Sequence, residues 1–131
     1  IILVPKIDNI SYSNYENKLI NILTDILNNA IDELKDKKYK KYIFINIFSD
    51  NKYINIEIFD NAGGIKEDII HKVFEPYFTT KHQSQGTGIG LYMSAEIINK
   101  HLHGEILVSN CVSVIKEKQY IGAEFTISIP L

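Results

Sequence analysis

Asp60 closes an alternating run, Ile54, Ile56 and Ile58, and is followed by Asn61-Ala62-Gly63-Gly64-Ile65. Strand alternation aims the Asp60 carboxylate at the same face as those isoleucines, the dry face of a sheet. A carboxylate there needs a donor, because an unpaired buried charge is costly. Gly63 and Gly64 carry no bulk, so a flat ligand or another backbone can come close, and an exocyclic amine on a heterocycle suits the acceptor. The plainer account is a turn opened by Asp, Asn and Gly.

A second pair lies upstream. Asp25 and Asn29 are four residues apart, hence on one side of a helix, and their oxygens could hold Mg²⁺ together with phosphate oxygens and waters. The carboxylate could also orient or deprotonate an attacking water. A solvated helix flank is the ordinary alternative.

The third feature is Gly86-Thr87-Gly88-Ile89-Gly90-Leu91, which uses three of the chain's seven glycines immediately before an amphipathic stretch. It lacks the Gly-Lys-Ser/Thr ending of a P-loop and the spacing of the dinucleotide fingerprint. Glycines abutting a helix start nevertheless leave backbone N–H groups free to meet an anion at the positive end of the helix dipole. A flexible hinge accounts for the same glycines.

The elements that position these residues follow from periodicity. After a short opening strand, Ser13 or Asn14 can cap a helix running to about Lys35, with Leu19, Ile22, Leu23, Ile26, Leu27, Ala30, Ile31 and Leu34 at helical spacing. At ~100° per residue the apolar arc runs from Ile22 through Leu19 to Ile31, with Asn29, then Asp25, Asp32 and Asn21, outside its Ile22 edge. Glu33 falls inside the arc, which suggests that the last turn leaves the core.

Residues 41–48 and 53–59 alternate around the turn Ser49-Asp50-Asn51-Lys52 and form a hairpin with one dry face. Residues 60–87 read as a long functional loop with a short helical patch near Glu67 to Lys72. A helix follows from about Ile89 to Leu102, ended by Gly104 as a C-cap, then strands near 105–110, 112–116 and 123–129. Separated helical and mostly antiparallel strand runs imply an α+β two-layer sandwich with helices on one face.

Composition bounds the rest. The 131 residues make one domain's worth of core; 45% are hydrophobic and 23% charged, as in ordinary globular proteins. A net charge of -2 offers no field for nucleic acid, and the basic run from Asp36 to Lys41 reads as a solvated loop. Cys111 is alone, so no internal disulfide forms and a reducing, cytoplasmic setting is expected; its apolar strand surroundings argue against a reactive thiol. No apolar run approaches ~18 residues, and the start, lacking Met and a signal-peptide layout, reads as a piece of something longer.

Four blocks in fixed order resemble the nucleotide-binding boxes of the sensor histidine kinase catalytic domain, within the wider family of gyrase, heat-shock-90 and mismatch-repair ATPases. They are Leu23 to Ala30 (LTDILNNA), Asp60 to Ile65 (DNAGGI), Phe74 to Lys81 (FEPYFTTK) and Gly86 to Leu91 (GTGIGL), and the closing run Gly122 to Pro130 is similar to the family's last strand. The resemblance spans nearly the whole chain, 1–131. It implies a Bergerat-type α/β sandwich with a mobile ATP lid, and an ATP site in which Asp60 accepts from the adenine amino group. Asn29 would hold Mg²⁺, with Asp25 as metal ligand, base or both, while Gly63, Gly64 and Ile65 would line the base. Gly86, Thr87, Gly88, Ile89, Gly90 and Leu91 would close over the phosphates. Phe74 and Phe78 would pack the lid, and Lys81 would reach a phosphate.

Three departures stand out. Sensor kinases usually carry Asn at the Asp25 position, whereas the related ATPases carry an acid. Asp32 stands where many kinases place a basic phosphate contact, and Ala123 where a Thr is common. The resemblance also implies partners: a phosphoacceptor His on a separate helical hairpin of the same protein, a response regulator, and a homodimeric full-length protein whose membrane anchoring the sequence leaves open. His71, His82, His101 and His103 are poor substitutes for that acceptor. Two other readings stay open: an ATP-hydrolysing conformational module, favoured by Asp25, and a serine kinase or anti-sigma-like regulator.

Overall fold

A computed structural model describes residues 1–7, 16–78 and 90–131. The chain runs β1 (Ile2–Ile7), α1 (Glu16–Leu34), β2 (Tyr42–Ser49), β3 (Tyr53–Asp60), a short 3-10 turn (Ile70–Lys72), α2 (Gly90–Lys100), β4 (Glu105–Ile115) and β5 (Lys118–Pro130). The five strands form one sheet in the order β1-β2-β3-β5-β4. Only β1 and β2 run parallel; the other pairs are antiparallel. The expected mixed, mostly antiparallel sheet with helices on one face is what the chain forms. The cap residues Ser13 and Asn14, residues 79–85 of the expected lid and residues 86–89 of the glycine run lie outside the described residues.

The core is a sandwich between that sheet face and the two helices. Ile22, Ile26, Ala30 and Leu34 of α1 and Ala95 and Ile98 of α2 pack with Ile43, Ile54, Ile56, Ile58, Phe125, Ile127 and Ile129 of the strands. In the β2–β3 register Ile45 faces Ile58 and Ile47 faces Ile56. Same-parity isoleucines therefore meet across the pair, as β-branched side chains favour.

Four expectations are corrected. The last turn of α1 stays in the core: Leu34 is fully buried, whereas Ile31, placed in the apolar arc, is 42% exposed. The buried stripe follows i, i+4 steps from Ile22 to Leu34, which leaves Ile31 on the outer flank. Second, β4 is one continuous strand, with Asn110 opposite Ala123 and Cys111 opposite Gly122. Third, β5 begins at Lys118 rather than near Ala123. Two residues with positive φ, Lys116 and Glu117, join it to β4. Fourth, the left-handed residue beyond α2 is His103, with φ 57. Gly104 still closes the helix through its N–H, which donates to the Ile98 carbonyl at 2.8 Å, and it also allows close packing, since a Cβ there would overlap the Ser128 carbonyl oxygen.

Candidate functional site

Between α1 and the loop after β3 lies a cavity of about 320 Å³, within the size range of small-molecule sites. Helix α1 supplies Asn29, Ala30 and Glu33; the sheet supplies Asp60, Ala123 and Phe125; the loop supplies Ala62, Gly64, Ile65 and Lys66. Ile69, Val73 and Phe78 close the far end, and Leu91 enters from the first turn of α2. Phe74 meets Phe125 edge-on, with ring centroids 6.0 Å apart, and so ties the stretch before Phe78 to the sheet.

Asp60 is the last residue of β3 and keeps the parity of Ile54, Ile56 and Ile58, which carries it under the helices. It is 6% exposed, and its Oδ1 accepts the Ala62 N–H at 3.1 Å. Burial, and after it the nearby Glu33 charge, push its carboxyl up to about 6, against the pull of backbone N–H groups at Ala62 and Ala123. Burial alone disfavours the charged form, so a ligand that donates to this oxygen would recover part of the lost solvation. β5 can pass this close because position 122 is glycine: a Cβ on Gly122 would overlap the Asp60 carbonyl oxygen.

Asp25 and Asn29 stand one helical turn apart and face different neighbours. Asn29 lines the cavity, and its Nδ2 donates to the Asp25 carbonyl at 3.0 Å. The half-buried Asp25 instead faces the start of α2, where its Oδ2 accepts from Ser94 Oγ at 3.3 Å. Its Cγ lies 3.8 Å from the point a Cβ on Gly90 would occupy. Gly64, Ile65, Phe78 and Leu91 border the cavity with Asn29 and Asp60. Gly63 does not; with φ 99 it turns the loop and donates its N–H to the Ile121 carbonyl at 3.1 Å. Lys81, Gly86, Thr87, Gly88 and Ile89 lie outside the described residues.

Three contributors escaped the sequence reading. Glu33 sits inside the arc because the helix faces a cavity there rather than packed side chains. Lys66 is the only cation among the described residues that line the cavity. Asn110, read only as the end of a strand, bonds both backbone groups of Ile65. Cys111 is half-buried, and burial, followed by the charges of Glu124, Asp60 and Glu57, pushes its thiol pKa up, away from the reactive thiolate.

Residues 14–131 match the family model described as histidine kinase-, DNA gyrase B- and HSP90-like ATPase. The signal transduction histidine-protein kinase AtoS of Escherichia coli (strain K12) is 35% identical over 130 residues, which is 98% of this chain and 19% of AtoS. Sporulation kinase E of Bacillus subtilis (strain 168) is 34% identical over 116 residues, 88% of this chain and 14% of that protein. The chain therefore spans less than a fifth of either relative. Among solved structures, the mycobacterial sensor histidine kinase MprB superposes with a TM-score of 0.77 at 20% identity, covering 98% of this chain and 80% of that one. The catalytic domain of histidine kinase ThkA does so with 0.76 at 24% identity, covering 98% and 78%. At such identities the likeness is one of fold, and it agrees with the family match over most of the sequence. The chain belongs to the family of histidine kinase-, DNA gyrase B- and HSP90-like ATPases.

Proposed function

We propose that this chain, over residues 1–131, is the ATP-binding catalytic domain of a two-component sensor histidine kinase. It delivers the γ-phosphoryl of ATP to a His on a separate domain of the same protein, from which a response regulator receives it. The full-length protein works as a homodimer with this domain in the cytoplasm, and nucleic acid is not among its partners. No described helix is long and apolar enough to cross a membrane. The kinase reading rests on relatives that carry that name along nearly the whole chain.

The observation that carries the ligand assignment is Asp60, a buried carboxylate on the floor of a mostly apolar cavity. In this reading the adenine amino group donates to Asp60, Ile65 and Phe125 flank the base, and Gly64 lets it approach the backbone. Asn29 and Leu91 lie toward the phosphates, which Lys81 and the backbone of Gly86, Thr87, Gly88, Ile89 and Gly90 enclose. The protein's work is chiefly to hold and neutralise the triphosphate in line with the acceptor.

Oxygen donors on Asn29 and Asp25 suit Mg²⁺, which keeps most of its ligands as phosphates and waters. Asp25 stands against Gly90, the last glycine of the Gly-x-Gly-x-Gly run, so its carboxylate borders the side on which phosphates are expected. Among the described residues no group of three or more His, Cys, Asp or Glu could hold a metal, and an ion carried in on phosphate needs none. Bound there, Mg²⁺ would offset the charge on the β- and γ-phosphates.

Asp60→Asn reverses the hydrogen-bonding role of one oxygen, turning an acceptor into a donor that faces another donor. Calorimetric titration should show ATP affinity falling by roughly ten- to a hundredfold, the equivalent of about 1.5–3 kcal/mol for a bond to a charged group. Unchanged affinity in a folded variant would sink the site assignment.

A further inference from the structure

Asn110 lies on β4, outside every block that resembles a nucleotide-binding box, and its side chain reaches a loop 45 residues away in sequence. The Ile65 N–H donates to Asn110 Oδ1 at 2.7 Å. In return Asn110 Nδ2 donates to the Ile65 carbonyl at 2.6 Å and to Glu67 Oε1 at 3.1 Å. An N–H can meet only the amide oxygen and a carbonyl only the amide nitrogen, so Ile65 itself fixes the orientation of the amide. The side chain does for Ile65 what a neighbouring strand would do.

Gly64 packs directly on this clip: a Cβ there would stand 2.7 Å from Asn110 Oδ1 and 3.1 Å from its Cγ. Gly63 and Gly64 both have positive φ, 99 and 89, in the segment with the greatest intrinsic backbone freedom of this wall. Gly64 and Ile65 border the cavity opposite Asn29 of α1. The second tether, Gly63 N–H to the Ile121 carbonyl, is a backbone bond and fixes only the start of the turn.

We propose that Asn110 is a positioning residue for the ligand, an amide clip that holds Gly64 and Ile65 at a fixed distance from Asp60 so that the slot for a flat base exists before binding. The proposal rests on the nucleotide reading of the cavity given above. Without the clip the ligand must order a two-glycine segment as it binds, and that entropy is subtracted from affinity. The loss falls on the base end, so ATP and ADP weaken by the same factor; loss of a γ-phosphate contact would weaken ATP alone.

The test compares the chain with Asn110→Ala, Asn110→Asp and Asp60→Asn, reading ATP and ADP affinity by calorimetry and backbone exchange by NMR. Asn110→Ala is expected to weaken both nucleotides about tenfold. The Ile65 amide should exchange fast in the free variant and slowly again with saturating ADP, while amides of Ile56, Ile58 and Ile127 stay protected. Asn110→Asp preserves shape and the acceptor for the Ile65 N–H but sets a carboxylate oxygen against the Ile65 carbonyl and Glu67, so a loss at least as large as in Asn110→Ala is expected; it serves alone if the alanine variant does not fold. Wild-type affinity in the Asn110 variants, unchanged Ile65 exchange, a loss confined to ATP, or exchange rising throughout the core would each overturn the clip. If the parent chain binds no ATP, or Asp60→Asn binds normally, the nucleotide reading fails instead.

Discussion

Asp60 ties stability and binding to pH in opposite directions. Burial pushes its carboxyl up to about 6 in the folded protein, against 3.8 for a free aspartate, so between those values the folded chain holds a proton that the unfolded chain has released. That contribution to stability is fully present below about 3.8 and lost as pH rises through 6; roughly two units correspond to on the order of 3 kcal/mol. Asp60→Asn cannot ionise, and it should therefore unfold at higher denaturant than the parent at pH 7, with the gap closing toward pH 4. ATP affinity of the parent should move the other way, strengthening as pH rises through 6, because the charged form is the better acceptor. Equal denaturation midpoints of variant and parent at pH 7 would mean that burial does not burden this carboxylate. Parity along β3 made the place of Asp60 legible in the sequence. The place of Glu33 was not, since a charge within an apolar arc marks either a helix leaving the core or a helix facing a cavity, and spacing alone does not separate the two.

At the level of elements, hydrophobic period located α1, β2 and β3 well because each buries one regular face. It failed between β4 and β5 for two local reasons. Asn110 interrupts the apolar alternation while its backbone stays paired with Ala123, since the side chain is spent on Ile65 rather than on ending the strand. The turn is a two-residue connection in which Lys116 has φ 51 and Glu117 has φ 67. Both signs match a type I′ hairpin, which favours Asn-Gly and here carries neither residue. L-residues held in the left-handed region cost about 1 kcal/mol or more each. The double substitution Lys116→Asn with Glu117→Gly should therefore raise stability by about 1–2 kcal/mol, read as a higher midpoint in thermal denaturation. A lower midpoint would show that the lysine and glutamate side chains contribute more than their backbone strain removes.

For the whole molecule, the cavity lies toward the N-terminal end of α2, where Leu91 enters it. His101 and His103, both exposed, follow the other end of that helix; eleven residues put roughly 16 Å between the two ends at 1.5 Å per residue. His71 is exposed as well, in the 3-10 turn between Ile69 and Val73, whose side chains face the cavity. None of these three histidines borders the site. Transfer to His101 or His103 would thus require a rearrangement of the core, whereas transfer to a separate domain requires only an approach to the cavity. On the proposed function, the chain incubated with γ-labelled ATP and Mg²⁺ should bind nucleotide, release little phosphate and take up almost no label. Addition of the helical domain carrying the phosphoacceptor His should move label onto that domain in acid-labile, alkali-stable form, the behaviour of a phosphoramidate at a histidine nitrogen. Asp60→Asn should weaken the transfer at ATP concentrations that just saturate the parent and recover it at much higher ATP, because the lost interaction holds the base rather than the reacting phosphoryl. Acid-stable label on a serine of a partner would assign the domain to a serine kinase. Steady phosphate release by the chain alone, lost on Asp25→Asn, would assign it to an ATP-hydrolysing module in which Asp25 activates water.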